Sequence, residues 1–413
     1  MSSILPGDVL DKDEGSLRRK AGRLLFVGLP VTELDRYWRG LLREVRPGGV
    51  ILFGRNIETA EQVVNLTSQI RDAAGPAVFI GVDQEGGLVD RFRDISEPAP
   101  SAKAVRDAAR PELAEKFGAL TARVLRLLGF NINFAPVLDL GGDNSDNGLR
   151  ARTFGLNPKM VSLLGGAYLD GLQKGQIIGC GKHFPGLGGS TVDSHRRLPV
   201  IKHTWDEIFE EDLVPFMDLM FHRPGARLRS LMVSHAAFPG MSEFLQACFR
   251  RAGDQQTIEG LHEQPATISG NVVMRLLRIW LKFDGLVITD DMEMGAVVQT
   301  LSVPEASLRA AEAGSDMVLI CEREANFVGA RDLLVEAIRE GRLSMRAVNA
   351  SNRRMDELLA LAGEPEQFDD DEFKAASRQM AELKEALKAA EETGEYTPLY
   401  GTEGGPARRS SNF

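Results

Sequence analysis

Cysteine is scarce in this chain of 413 residues: Cys180, Cys248 and Cys321 are an odd number, far apart, with no C-x-x-C among them. That excludes a disulfide framework and a zinc knuckle, and makes reduced, buried thiols the expectation. No metal and no cofactor are expected. No apolar run approaches the length of a membrane span, and the N-terminus lacks the charged, apolar, small-residue succession of a secretory leader. A cytoplasmic protein with no membrane partner is the expectation. Positive charge is also in short supply. A formal net charge of -10 leaves no clustered basic footprint for nucleic acid, and the two local exceptions, His222 to Arg229 and Arg250-Arg251, read as solvated loops.

What the chain does have is apolar content of 43%, enough for one large α/β barrel with appendages or for two modest domains. From Leu24 onward, short β-branched runs alternate with longer helical patterns, the rhythm of parallel β/α units. Eight strands are predicted: Leu24 to Gly28, Gly49 to Phe53, Val78 to Val82, Asn131 to Val137, Ile177 to Lys182, Ser230 to Val233, Leu286 to Thr289 and Asp316 to Ile320. Between them fall helical patterns such as Thr59 to Asp72, Pro111 to Leu128, Asn157 to Lys174, Trp205 to Phe221, Ser269 to Leu281 and Pro304 to Ala313. Pro111, Pro158 and Pro304 sit where a first helical turn tolerates proline, and Ser269 is a candidate N-cap. Two more helical patterns, Glu324 to Glu340 and Met345 to Ala362, follow the last strand. The count fits a closed (β/α)8 barrel, with an open doubly wound sheet as the alternative. In a barrel the reactive residues collect at the carboxyl ends of several strands.

Around that unit, residues 1–20 read as a polar leader or strap and 21–365 as the barrel. The stretch 238–264 is an irregular insertion, and 366–393 is a charged helix with apolar positions at Phe373, Met380, Leu383 and Leu387. The last stretch, 394–413, is too rich in Gly, Pro, Ser and Arg to order itself.

The segment from Lys182 to His195 follows the fifth strand. It sets two histidines, a lysine and an aspartate in a backbone loosened by glycine and one proline. At its tip, Asp193-Ser194-His195 lets a carboxylate orient an imidazole and favour its protonated form, as a general acid/base requires. A Gly-rich turn with solvated polar groups is the plain alternative. The seventh strand ends in Thr289-Asp290-Asp291, which suits a nucleophile, a cation ligand or a helix N-cap. The third ends in Val82-Asp83-Gln84-Glu85-Gly86-Gly87, with Val89-Asp90-Arg91-Phe92 soon after; a carboxylate at Asp83 can accept protons from two neighbouring hydroxyls.

Six segments in order resemble glycoside hydrolase family 3, in particular its single-domain β-N-acetylglucosaminidase branch. Lys182 to Gly186, Gly188 and Asp193-Ser194-His195 match its K-H-F-P-G-H-G signature and the D-S-H that follows, with Leu187 where histidine is usual. Phe283 to Asp291 matches F-x-G-[LIV]-[IV]-x-[ST]-D-D. Asp83 to Phe92 matches the V-D-x-E-G-G-x-V-x-R segment, with Leu88 where arginine is common. Phe134 to Asp139, Arg152-Thr153-Phe154-Gly155 and Met232 to His235 complete the set. The resemblance implies Asp290 as nucleophile, His195 as acid/base and Asp193 as its orienting partner. It further implies that Asp83, Arg91, Arg152, Lys182, His183 and His235 bind a small glycan containing N-acetylglucosamine. Asp139 fits either a site wall or a loop cap.

The larger members of the family carry a second domain with an acidic acid/base residue, for which this chain leaves no length after the barrel. Its implied activity is thus a retaining exo-β-N-acetylhexosaminidase of cell-wall recycling. The alternatives are a phosphorylase or a β-glucosidase or xylosidase of the same family, and a sugar-binding barrel without catalysis.

Overall fold

The eight parallel strands close on themselves. In the computed structural model, which describes residues 14–143, 147–190, 197–222, 227–250 and 264–393, the order around the ring is β1 (Leu25–Gly28), β2 (Gly49–Leu52), β3 (Phe79–Val82), β4 (Ile132–Asn133), β5 (Ile178–Phe184), β6 (Ser230–Val233), β7 (Leu286–Asp291) and β8 (Met317–Ile320). Closure is made by β8 returning to β1, with Leu25 beside Val318. This is the (β/α)8 barrel, not the open sheet. β4 is shorter than the predicted Asn131 to Val137; Val137 rejoins the ladder only through an isolated bridge to Lys182.

Side chains on a strand alternate between its faces, and here one face looks into the barrel and the other at the helices. Phe26, Ile51, Phe79, Ile132, Ile178, Cys180, Met232, Ile288 and Met317 fill the inside. Val27, Val50, Ile80, Leu231, Val287 and Val318 pack outward. Each such buried side chain contributes roughly 1.5–3 kcal/mol of burial energy. The Phe26 ring reaches across the interior to within 5.2 Å of the Phe134 centroid. Gly81 makes room for it, since a Cβ there would lie 2.9 Å from its Cζ. Met355 and Leu358, from the Met345–Leu359 helix, close the bottom.

The outer helices begin where capping chemistry allows. Thr59, Asn157 and Ser302 accept backbone N–H groups at their helix starts. Ser269 differs from expectation: its carbonyl, not its hydroxyl, receives Val272 and Val273, and the helix beyond it, Asn271–Trp280, is wound as a π-helix. Two π turns, Ile208–Asp212 and Asp218–His222, also interrupt the run predicted as Trp205 to Phe221. The helix Glu14–Gly22 buries Leu17 and Ala21 beside the Glu324–Arg339 helix, so structure begins within the stretch read as a leader. The described part of the 238–264 segment forms the helix Ser242–Arg250, whose Phe244 stacks on Trp205 at 3.6 Å, beside the barrel. The helix Asp370–Thr393 buries Phe373, Met380, Leu383 and Leu387 on the outside. The stretch 394–413 lies outside the described residues.

Candidate active site

The alternation that fills the barrel also builds the site. Carried one step further up each strand, the inward register of Leu286 and Ile288 reaches Asp290, that of Ile178 and Cys180 reaches Lys182, and that of Phe79 and Gly81 reaches Asp83. The top layer is therefore polar where the layers below are apolar. It lines a cavity of about 390 Å³ whose walls also carry Glu85, Arg91, Arg152, His183 and Asp291, over a floor of Ile51, Met232 and Leu319.

One wall is a charge lattice. Arg152 straddles Glu85 in a two-pronged pair, with Nε to Oε2 at 2.8 Å and Nη2 to Oε1 at 2.9 Å. Lys182 Nζ donates to Glu85 Oε1 at 2.5 Å and to Asp83 Oδ1 at 2.7 Å. Arg91 stands 3.9 Å from the other Asp83 oxygen. Burial alone would raise the Glu85 carboxyl, but Arg152 and Lys182 hold it far below the usual carboxylate range. The same balance runs in reverse on Lys182, where burial works against the charge and Asp83 and Glu85 more than restore it.

Beside it, Asp139 organises the start of the loop that follows β5. It is fully buried, bonds His183 Nδ1 at 2.6 Å and accepts the His183 and Leu187 backbone N–H groups at 3.2 and 2.7 Å. The turn needs glycine at Gly186, which has φ +135 and lies against Asp212. Asp212 in turn holds His203 Nδ1 at 2.7 Å, and the His203 ring sits where a Cβ on Gly189 would fall. This second Asp-His pair lies against Gly186 and Gly189. The first, Asp193 and His195, lies outside the described residues.

Asp290 and Asp291 end β7 with unlike surroundings. Burial raises the Asp290 carboxyl, but His183, His235, the Asp291 N–H and Lys182 outweigh it and leave it below its ordinary value. Its Oδ1 accepts the Asp291 N–H at 2.8 Å. Asp291 is pushed up to about 7 by burial, then by Glu293 and Asp290. His235 does not reach the cavity. It is fully buried, with Nδ1 at 2.7 Å from Thr267 Oγ1 and Nε2 donating to the Asp291 carbonyl at 2.8 Å. It therefore fixes the backbone that carries the two acids.

The sequence model described as "Glycosyl hydrolase family 3 N terminal domain" matches residues 16–358. The chain belongs to glycoside hydrolase family 3. It is a glycoside hydrolase. Among family relatives, a β-hexosaminidase of Tolumonas auensis is 34% identical over 310 residues, which span 75% of this chain and 85% of that one. A family 3 β-N-acetylglucosaminidase structure from Paenibacillus sp. str. FPU-7 superposes with TM-score 0.77 at 30% identity, covering 89% of this chain and 68% of that one. NagZ from Neisseria gonorrhoeae, solved in complex with N-trifluoroacetyl-D-glucosamine, superposes with TM-score 0.66 at 27% identity, covering 87% of this chain and 98% of its own.

Against the family pattern, Leu187 sets a hydrocarbon on the cavity wall where histidine is usual, while its backbone N–H still serves Asp139. Leu88 is 62% exposed, so it fills no packing role. Glu85 is the residue that sequence reasoning passed over. Its signal was present, because it repeats the inward step of Asp83 two residues on. Among the described residues, no group of three or more His, Cys, Asp or Glu side chains is placed to hold a metal ion.

Proposed function

We propose that this protein is a retaining exo-β-N-acetylhexosaminidase that removes terminal β-linked N-acetylglucosamine. The observation that carries the reading is Asp290: an inward carboxylate at a strand end, kept ionised in a cavity whose facing wall is already charge-balanced. In the reaction, Asp290 attacks the anomeric carbon and forms a glycosyl-enzyme as the glycosidic oxygen leaves. His195 gives that oxygen a proton and then takes one from the water that resolves the intermediate, with Asp193 holding its imidazole. Asp83, paired on one oxygen with Lys182, accepts sugar hydroxyls, while Arg91, Arg152, Lys182 and His183 complete the grip.

Exo action is supported by the cavity's closed floor, and a volume of about 390 Å³ lies within the roughly 300–1,000 Å³ of small-molecule sites. The names of its relatives support the 2-acetamido substrate. A terminal sugar on cell-wall recycling fragments, met in the cytoplasm, extends the same reading, and free cysteines accord with a reducing compartment.

The test is a panel of aryl β-N-acetylglucosaminide, glucoside and xyloside, with the first anomer of the product followed by NMR. The expected result is turnover of the N-acetylglucosaminide with retention, lost in Asp290→Ala and His195→Ala. Unchanged rates in either variant would refute the assignment. A sugar 1-phosphate formed in phosphate buffer would identify a phosphorylase instead.

A further inference from the structure

The family match stops at residue 358, and the helix Asp370–Thr393 lies beyond it. Its apolar stripe docks on the helices Pro111–Leu127 and Ala102–Ala108, neither of which lines the cavity. Arg126 pins the approach to it by an ion pair with Glu366 at 2.8 Å, and Arg123 bridges Glu366 and Glu372.

Two routes lead from that outer surface to two arginines of the cavity. In the first, Ser377 Oγ accepts the Glu97 backbone N–H at 2.8 Å. Two residues later the Ala99 N–H donates to Asp90 Oδ2 at 2.8 Å, and the other Asp90 oxygen takes Gln84 Nε2 at 2.8 Å. Gln84 Oε1 then receives the Arg91 backbone N–H at 2.8 Å. In the second, Arg106 leaves the Ala102–Ala108 helix and donates to both oxygens of Asp143 at 3.0 and 3.2 Å. Its Cδ lies 2.9 Å from where a Cβ on Gly155 would sit. One side chain thus bonds one end of the segment that carries Arg152 and packs against the other.

We propose that the C-terminal helix is a positioning element for substrate binding: docked on the outside of the barrel, it braces the two segments that present Arg91 and Arg152. The inference rests on the reading of those arginines as sugar-binding groups. Neither route touches β7, so loosening the brace weakens the grip on the sugar and leaves bond cleavage at Asp290 alone. In kinetic terms, binding lost equally from ground and transition state raises KM and spares kcat.

Full-length variants test this with an aryl β-N-acetylglucosaminide. Met380→Asp combined with Leu383→Asp undocks the helix, while Ser377→Ala and Arg106→Gln each cut one route. KM is expected to rise about tenfold in the double variant and about threefold in each single one, with kcat within about twofold throughout. Hydrogen exchange should quicken at 97–108 and 147–155 while the strands stay protected. An undocked helix with unchanged KM overturns the proposal, as does a kcat that falls together with KM and melting temperature. Should the double variant fail to fold, the two single variants decide, and unchanged KM in both overturns it. Arg152→Ala separates the two layers of argument. If it leaves KM unchanged, the sugar-binding reading has failed, and the brace is then judged by exchange at 147–155, where unchanged protection overturns it.

Discussion

The end of β7 and the facing ends of β3 and β5 are both crowded with carboxylates, yet they solve the problem of burying charge in opposite ways. At β3 and β5 every charge has a partner of the other sign: Glu85 takes Arg152 and Lys182, and Asp83 takes Lys182. At β7, Asp290 has no salt-bridge partner among the described residues, and its bond is to the next N–H of the chain. The field of His183, His235 and Lys182 keeps it ionised from a distance. A carboxylate locked in a two-pronged pair is a poor nucleophile, because attack must first break that pair. In the mechanism proposed above this difference is a division of labour, with one side of the cavity gripping the sugar and the other reacting.

Removing the reactive side should have the largest effect. Asp290→Asn is expected to lower kcat by at least about 1,000-fold while the melting temperature stays within a few degrees, checked by steady-state kinetics and calorimetry. Breaking the gripping side should show in stability as well as binding. Glu85→Gln leaves Arg152 without its carboxylate partner and Lys182 with Asp83 alone, and a loss of about 3 kcal/mol in chemical denaturation, with a higher KM, is expected. Asp139→Asn should follow, since it frees His183 and the loop start together; a fall of about 100-fold in kcat/KM would show it, and a near-normal value would remove Asp139 from the site.

The smallest effect concerns Asp291 and is read in stability. Burial pushes its folded pKa up to about 7, above the ordinary aspartate value of about 3.9. Between those values the folded state holds a proton that the unfolded state has released, so this group lowers stability as pH rises through that window. Asp291→Asn should flatten that slope in melts taken from pH 4 to 7. An unaltered slope would assign the proton elsewhere.

Much of this was legible in the residues, for a physical reason. Period-two alternation marks the inward face of a strand, so Leu286 and Ile288 foretell Asp290, and the barrel's closure fixes that all such ends meet at one rim. The helix Arg36–Val45 was not foreseen although its signals were present, with Asp35 capping it through the Trp38 N–H and Leu41, Leu42 and Val45 forming its buried stripe. His235 illustrates a second limit. A histidine after a strand reads the same whether it faces the cavity or the Asp291 carbonyl behind it, and only the packing of Thr267 separates the two. The Asp212–His203 pair was hidden for the same reason. Its partners are nine residues apart on elements whose meeting depends on π turns that carry no signature.

The proposed mechanism requires Asp290 to become covalently attached to the sugar. A 5-fluoro analogue of an N-acetylglucosaminyl fluoride slows release of the intermediate, so peptide mapping by mass spectrometry can find the labelled residue. One sugar per chain is expected, on the peptide holding Asp290, absent in Asp290→Asn. A label on Asp291, Asp83 or Glu85, or turnover without any adduct and with inversion at the anomeric carbon, would contradict it.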